Sequence, residues 1–298
     1  MCTRRIGSSL SPFGSLRRTE VQSVSLRGLR LIGQGREAEV FEWRDGRVLR
    51  LLRAPGPIAR LAFEVVALEA ARSAGVPVPQ AYEEVVVDGR PGLVMEHLQG
   101  PDLLTMIGQK PWLVFSSGRL AGEIHARINR ARAPASLPAV RDVVGRGLAH
   151  VAPSEPRLAE WVGRILAHLP DGDALCHGDF HPGQLMFSGD HWAAFDWSGA
   201  RRGDSLFDYA RTRVLLSIGE PPPGTHLTLK LLAKIGRQLL VSSYVRSYEH
   251  NAAKPLDRTR VCHWEIVNLA VRLVDDVPGE RPRLLRRLRK EFARREGS

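Results

Sequence analysis

The segment LCHGDFHPGQLMF (residues 175–187), followed by WAAFDWSGARRGDSLFD (192–208), concentrates the chemistry of this chain. Three carboxylates punctuate it: Asp179, Asp196 and Asp208. His177-Gly178-Asp179 is followed by four residues and then by a carboxamide, Gln184. Asp196 ends the apolar run Trp192-Ala193-Ala194-Phe195, where a strand would deliver a carboxylate to a turn. Cys176, His177 and His181 also admit a metal-cluster reading, but no fourth ligand follows at a zinc-like spacing.

The frame H-x-D-x-x-x-x-amide is that of a kinase catalytic loop, in which the Asp accepts a proton and the amide oxygen faces a metal ion. HGDFHPG, with FDW and GDSLFD after it, resembles the aminoglycoside phosphotransferase (APH) family of small-molecule kinases, within the protein-kinase-like superfamily. The resemblance implies Asp179 as the base, Gln184 and Asp196 as Mg²⁺ ligands, and Asp208 as a structural carboxylate that pins the loop by accepting its amides. The chemistry is consistent with those residue types. Phosphoryl transfer is mostly positioning and charge neutralisation, and Mg²⁺ takes oxygen ligands from a few side chains plus substrate.

The upstream half keeps the order of that family. Leu29 to Ile32 reads as a strand, and Gly33-Gln34-Gly35-Arg36-Glu37-Ala38-Glu39-Val40 follows it. Against the kinase loop G-x-G-x-x-G-x-V it keeps Gly33, Gly35 and Val40, with Ala38 at the third Gly. Asp45-Gly46 reads as a hairpin turn. Arg50, on the strand Arg47 to Leu52, takes the place of the phosphate-binding Lys; no Lys occurs before Lys110. That exchange is not conservative at a tight site. Ile58 to Ala74 has helical spacing and ends at Gly75. The resemblance selects its Glu64, over Glu69, as partner of Arg50. Strands at Ala81 to Val87 and Leu93 to His97 lead to Glu96 and Leu98, whose backbone groups would meet the base of the nucleotide, with Leu185 as a further contact.

Downstream the pattern is mainly helical. Candidate helices run Trp112 to Arg130, Val140 to Val151, Pro156 to Leu169, Leu227 to Tyr248 and Arg260 to Val274, with a break at Pro221-Pro222-Pro223-Gly224. His125 reads as a packed core histidine. Asp204 is placed to cap a helix that starts near Ser205. Arg281 to Arg295 is an amphipathic basic helix, read as docked with a solvated basic face in preference to a membrane-surface or nucleic-acid helix.

The chain has 298 residues, a net charge of +11, 43% hydrophobic and 25% charged residues. Its three cysteines, Cys2, Cys176 and Cys262, offer no disulfide framework, and this favours a cytoplasmic location. No apolar run approaches the ~18 residues of a membrane span. Residues 1–19 lack acids and read, with the segment up to 24, as a disordered tail. An α+β, protein-kinase-like two-lobed fold is expected: a nucleotide-binding lobe over 25–97, a β-sheet with one helix, and a larger helical lobe over 98–298. The expected activity is Mg²⁺-dependent transfer of the γ-phosphoryl group of ATP or GTP to a hydroxyl of a small molecule. No A-P-E signature follows Asp196, which favours a small acceptor over a protein. Two alternatives stay open. One is a nucleotide-binding pseudokinase, because Arg50 replaces Lys and Gln184 replaces Asn. The other is a basic nucleic-acid-binding protein, for which no recognised motif is present.

Overall fold

The computed structural model describes residues 17–20, 26, 28–35, 37–189, 191–218, 227–277 and 279–296, with backbone only at 17–20 and 227–231. Its strands are β1 (Arg17–Glu20), β2 (Leu31–Gln34), β3 (Ala38–Trp43), β4 (Arg47–Leu52), β5 (Ala81–Val87), β6 (Arg90–Glu96), β7 (Ala174–Cys176), β8 (Leu185–Ser188), β9 (His191–Ala194) and β10 (Arg201–Gly203). Its helices are α1 (Ala62–Ser73), α2 (Leu103–Gln109), α3 (Val114–Arg130), α4 (Val140–Val151), α5 (Pro156–Ala167), α6 (Ser205–Ile218), α7 (Leu227–Asn251), α8 (Arg258–Val271) and α9 (Arg281–Glu296). The chain is α+β. Its contacts divide it into two units: residues up to Gly100 with Met186–Ser198, and Pro101–Leu185 with Gly199–Ser298.

The first unit is a six-stranded sheet, ordered β1-β5-β6-β4-β3-β2. Five strands are antiparallel neighbours, and β1 joins the edge parallel to β5. The tail expected over residues 1–24 therefore needs correcting within the described residues: Arg17–Glu20 is a strand. Two hairpins turn on Asp-Gly. Asp88 and Gly89 (φ 50° and 71°) are left-handed and form a two-residue turn between Val87 and Arg90, as strand twist requires; Asp45 and Gly46 (φ 59° and 65°) are left-handed too, in a three-residue loop with Arg44 between Trp43 and Arg47. Leu49 and Leu51 point into a core with Phe41, Trp43, Val85, Val87 and Val94. The next positions, Val48 and Leu52, are buried too, so both faces of β4 are covered and Arg50 lies between apolar neighbours. Gly92 makes room for this core, since a Cβ there would stand 2.7 Å from the Leu49 side chain.

The helix expected from Ile58 begins as a 3₁₀ turn over Ile58–Leu61 and becomes α1 at Ala62. It stops where Gly75 adopts φ 72° and the Val76 N–H reaches back to the Ala71 carbonyl, the usual left-handed helix ending. The β8–β9 pair belongs to this unit from Met186 onward, although it lies far along the chain. The Ala194 N–H donates to the Pro77 carbonyl at 2.9 Å.

The second unit is helical, with the short antiparallel pair β7–β10 carrying the catalytic segment. α3 and α7 approach closely because Gly118 and Gly122 lack side chains. A Cβ at Gly122 would stand 2.5 Å from the Tyr244 carbonyl. Ser243 and Ser247 donate to the Phe115 and Arg119 carbonyls at 2.7 and 2.6 Å. α9 is docked: Leu284 and Leu288 are buried, Phe292 meets Trp161 edge-on, and Arg289 pairs with Glu155. No helix among the described residues is long and apolar enough to cross a membrane. The expected break at Pro221 to Gly224 lies outside the described residues.

Candidate active site

In the first unit, between β2 and β3, the Gly35 N–H donates to the Ala38 carbonyl at 2.8 Å. Neither Gly33 nor Gly35 has positive φ. What glycine contributes here is an uncovered backbone, the form in which amides can approach phosphates. Gly35 and Glu39 are braced from outside. Arg53 donates to the Gly35 carbonyl at 2.9 Å and to Glu39 at 3.0 Å, and Arg90 holds Glu39 at 2.6 Å. Ala38 is buried, and Val40 is register partner of Arg50 across β3 and β4.

Arg50 meets Glu64 of α1 at 2.9 Å, with only 11% and 4% of the two side chains exposed. The same guanidinium stands 3.5 Å from Asp196. Burial works against the Arg50 charge, but Glu64 and Asp196 outweigh it and hold the guanidinium above its ordinary range. Burial pushes the Glu64 carboxyl up against the pull of Arg50. Glu69, the rival partner, has its carboxyl pushed up by burial against the pull of Arg72. Asp196 follows β9 and is itself left-handed (φ 59°), a conformation that Asp tolerates better than most residues. Its Oδ1 accepts from the Ser198 hydroxyl at 2.8 Å. At the end of β6, Glu96 is drawn to Gln80: its carboxylate accepts from the Gln80 N–H at 3.0 Å. Leu98 is half-buried beyond it.

In the second unit, β7 delivers His177-Gly178-Asp179 into a turn closed by the 3₁₀ segment Pro182–Gln184. Gly178 has φ 81°, and a Cβ on it would stand 2.0 Å from the Gly199 carbonyl oxygen. Only glycine fits. Asp208, fully buried on α6, accepts from the His177 and Gly178 amides at 2.7 and 2.8 Å, from Asn129 at 3.0 Å and from His125 Nε2 at 2.8 Å. Burial alone would raise this carboxyl; His125, His177 and Asn129 outweigh it and hold Asp208 well below the usual carboxylate range. His125, expected only as core packing, is thus part of the support of the loop. Asp204 caps α6 by accepting from the Leu206 N–H at 3.1 Å, and it also accepts from the Trp264 indole at 2.7 Å.

Asp179 keeps 37% of its side chain exposed, while its Oδ1 is buried without a hydrogen-bond partner. Gln184 is nearly buried, and Leu185 fully so, where the turn enters β8. The histidines beside them serve the loop: His181 Nδ1 accepts from the Gly183 N–H at 3.0 Å and His177 Nδ1 from the Asp179 N–H at 3.4 Å. Burial pushes the Cys176 thiol well up. Asp196 in the first unit and Gln184 in the second each offer an oxygen donor, the ligand type that a hard cation such as Mg²⁺ takes. Arg211, on α6, was not singled out in the sequence; it stands 3.7 Å from Asp179 Oδ1.

A model of the APH phosphotransferase enzyme family matches residues 28–231. A comparison with curated proteins gave no match. Among solved structures, a choline/ethanolamine kinase family protein from Mesorhizobium loti is 20% identical, with 89% of this chain and 87% of that one covered and a TM-score of 0.58. Aminoglycoside-3'-phosphotransferase of type VIII is 15% identical over 82% and 94%, with a TM-score of 0.57. The amicoumacin kinase hAmiN, solved with AMP-PNP, Ca²⁺ and Ami, is 14% identical over 90% and 88%, at 0.56. At these identities the structures establish a shared protein-kinase-like fold, and the family model spans most of the sequence: the chain belongs to the APH phosphotransferase enzyme family.

Proposed function

We propose that this protein transfers the γ-phosphoryl group of ATP or GTP, in a Mg²⁺-dependent reaction, to a hydroxyl group of a small molecule. The observation that carries the reading is the buried Arg50–Glu64 pair at 2.9 Å, a cation held within 3.5 Å of Asp196. Asp179 accepts the proton of the attacking hydroxyl. Asp196 and Gln184 supply oxygens to the cation, which when bound neutralises phosphate charge. Arg50 contacts the phosphates, and the backbone of Glu96 and Leu98 meets the base. Related proteins solved with AMP-PNP and Ca²⁺, or with GDP, support a nucleotide and a divalent ion. The odd, widely spaced cysteines support a cytoplasmic location.

Of the acidic side chains Glu249, Glu265, Asp275 and Asp276 that follow Leu227, the first three are paired within the protein and Asp276 is exposed. Glu249 pairs with Arg258, Glu265 with Arg213, and Asp275 with Arg211 and Arg272. That supports an acceptor other than a polycationic antibiotic.

One observation favours a second reading, a nucleotide-binding protein with little transfer activity. Arg50, standing in place of Lys, leans on the carboxylate proposed as metal ligand, and Gln184 reaches one methylene further than Asn. Thermal-shift titration with ATP and GTP, with and without Mg²⁺, separates the cases. Ligand at about 100 times its dissociation constant should stabilise the fold by roughly 2.7 kcal/mol. A Mg²⁺-dependent shift lost in Asp196→Asn fits the kinase reading. A Mg²⁺-independent shift favours the second, and no shift with either nucleotide overturns both.

A further inference from the structure

Helix α6 grips the catalytic loop residue by residue. Asp208 takes the His177 and Gly178 amides, and Thr212 donates to the Phe180 carbonyl at 2.8 Å. Between these two anchors on the helix is Arg211, and between their partners on the loop is Asp179. Arg211 Nη2 lies 3.7 Å from Asp179 Oδ1 and 3.4 Å from Asp275 Oδ2. Asp275 is fixed in turn by Arg272 at 3.0 Å, and Arg272 is held at two points by Glu280, at 2.8 and 3.2 Å. The result is a row of alternating charges, Asp179–Arg211–Asp275–Arg272–Glu280, ending on the base. Oδ1 of Asp179 is shut off from solvent although the side chain as a whole is 37% exposed. The reachable oxygen is therefore Oδ2.

We infer that Arg211 is a positioning residue for the base: it keeps Oδ1 turned inward, so that Oδ2 alone meets the attacking hydroxyl. The inference rests on the kinase reading above. In the step it serves, the hydroxyl proton passes to Asp179 Oδ2 as the hydroxyl oxygen bonds to Pγ. The bond from Pγ to the bridging oxygen breaks, and its electron pair leaves with the nucleoside diphosphate. Arg211 acts through Asp179, so its loss should lower turnover without weakening nucleotide binding. A base displaced by about 1 Å can cost ~100-fold.

The test is steady-state phosphate release from MgATP, with water as acceptor, in the full chain. Arg211→Ala should lower kcat by roughly 30- to 100-fold and leave KM for MgATP within about twofold. Ethylguanidinium in the assay should restore part of kcat, and Arg211→Lys should fall between. Asp275→Asn should shift kcat in the same direction by less. Should Arg211→Ala fail to fold, Arg211→Gln carries the measurement. Unchanged kcat, or a rise in KM alone, with Asp179→Asn inactive, overturns the positioning role and leaves the kinase reading intact. A wild type that neither turns over MgATP nor gains thermal stability from it, or an Asp179→Asn variant as active as wild type, overturns both.

Discussion

Arg50 Nη1 and Glu64 Oε2 face each other at 2.9 Å in a place almost closed to water. The sequence puts one on a strand and the other on a helix, and the fold makes each the other's counter-charge. Removing one partner of such a pair leaves a buried charge uncompensated, at a cost of about 3–5 kcal/mol. Arg50→Ala and Glu64→Gln should each destabilise by that order in urea unfolding. The double variant Arg50→Met/Glu64→Leu should be close to wild type or more stable, because an apolar pair escapes the desolvation cost. A loss below about 1 kcal/mol in both single variants would contradict the buried pair, whose singles should reach 3–5.

Asp208 predicts how the fold responds to acid. Its carboxyl is held well below the usual range, so the folded state favours the ionised form. Its contribution is complete above the unfolded-state value of about 3.9 and is lost as pH falls from there toward the depressed folded value. Asp208→Asn should cost on the order of 2 kcal/mol at neutral pH. The variant should also show a shallower loss of stability below pH ~4 than wild type. Unfolding free energies measured across pH 2.5–7 check both, and parallel acid slopes would refute the assignment.

Gly178 is left-handed, and its missing Cβ is space already filled by the Gly199 carbonyl. Gly178→Ala should lower stability by roughly 2–4 kcal/mol, combining backbone strain with the forced shift of a packed carbonyl, and turnover should fall at least as far as in Asp179→Asn. Gly145, exposed in α4 with open space around its would-be Cβ, provides the contrast. Gly145→Ala should stabilise by about 0.5–1 kcal/mol. Calorimetry on the two variants tests whether local geometry, and not glycine content, sets the outcome.

Asp196 combines a left-handed backbone with a hydrogen bond from Ser198. Glycine would relieve about 1 kcal/mol of strain and forfeit a hydrogen bond of similar worth. Asp196→Gly should therefore stay within about 1 kcal/mol of wild type while losing the Mg²⁺-dependent part of the thermal shift with nucleotide. Retention of that part would mean that the carboxylate does not serve the cation.

By itself the sequence determined the elements and the chemistry of the loop. Asp-Gly turns, period-two and helical spacing, and HGD followed by an amide are local patterns, and local sterics enforce them. β5 over Ala81–Val87 and α4 over Val140–Val151 sit where the pattern puts them. Asp204 and Asp208 take the cap and the loop-pinning role expected of them. Tertiary structure decided what depends on distant partners. The β8–β9 pair joins the first unit by contacts far from it in sequence. Arg17–Glu20 becomes a strand because an edge of β5 is available to pair with it. His125 becomes a loop support only when α3 and α6 bring it to Asp208. Arg211 looks like any helix arginine until Asp179 and Asp275 flank it. A charge acquires a role from what folding places within a few ångströms of it, and linear spacing carries no record of that distance.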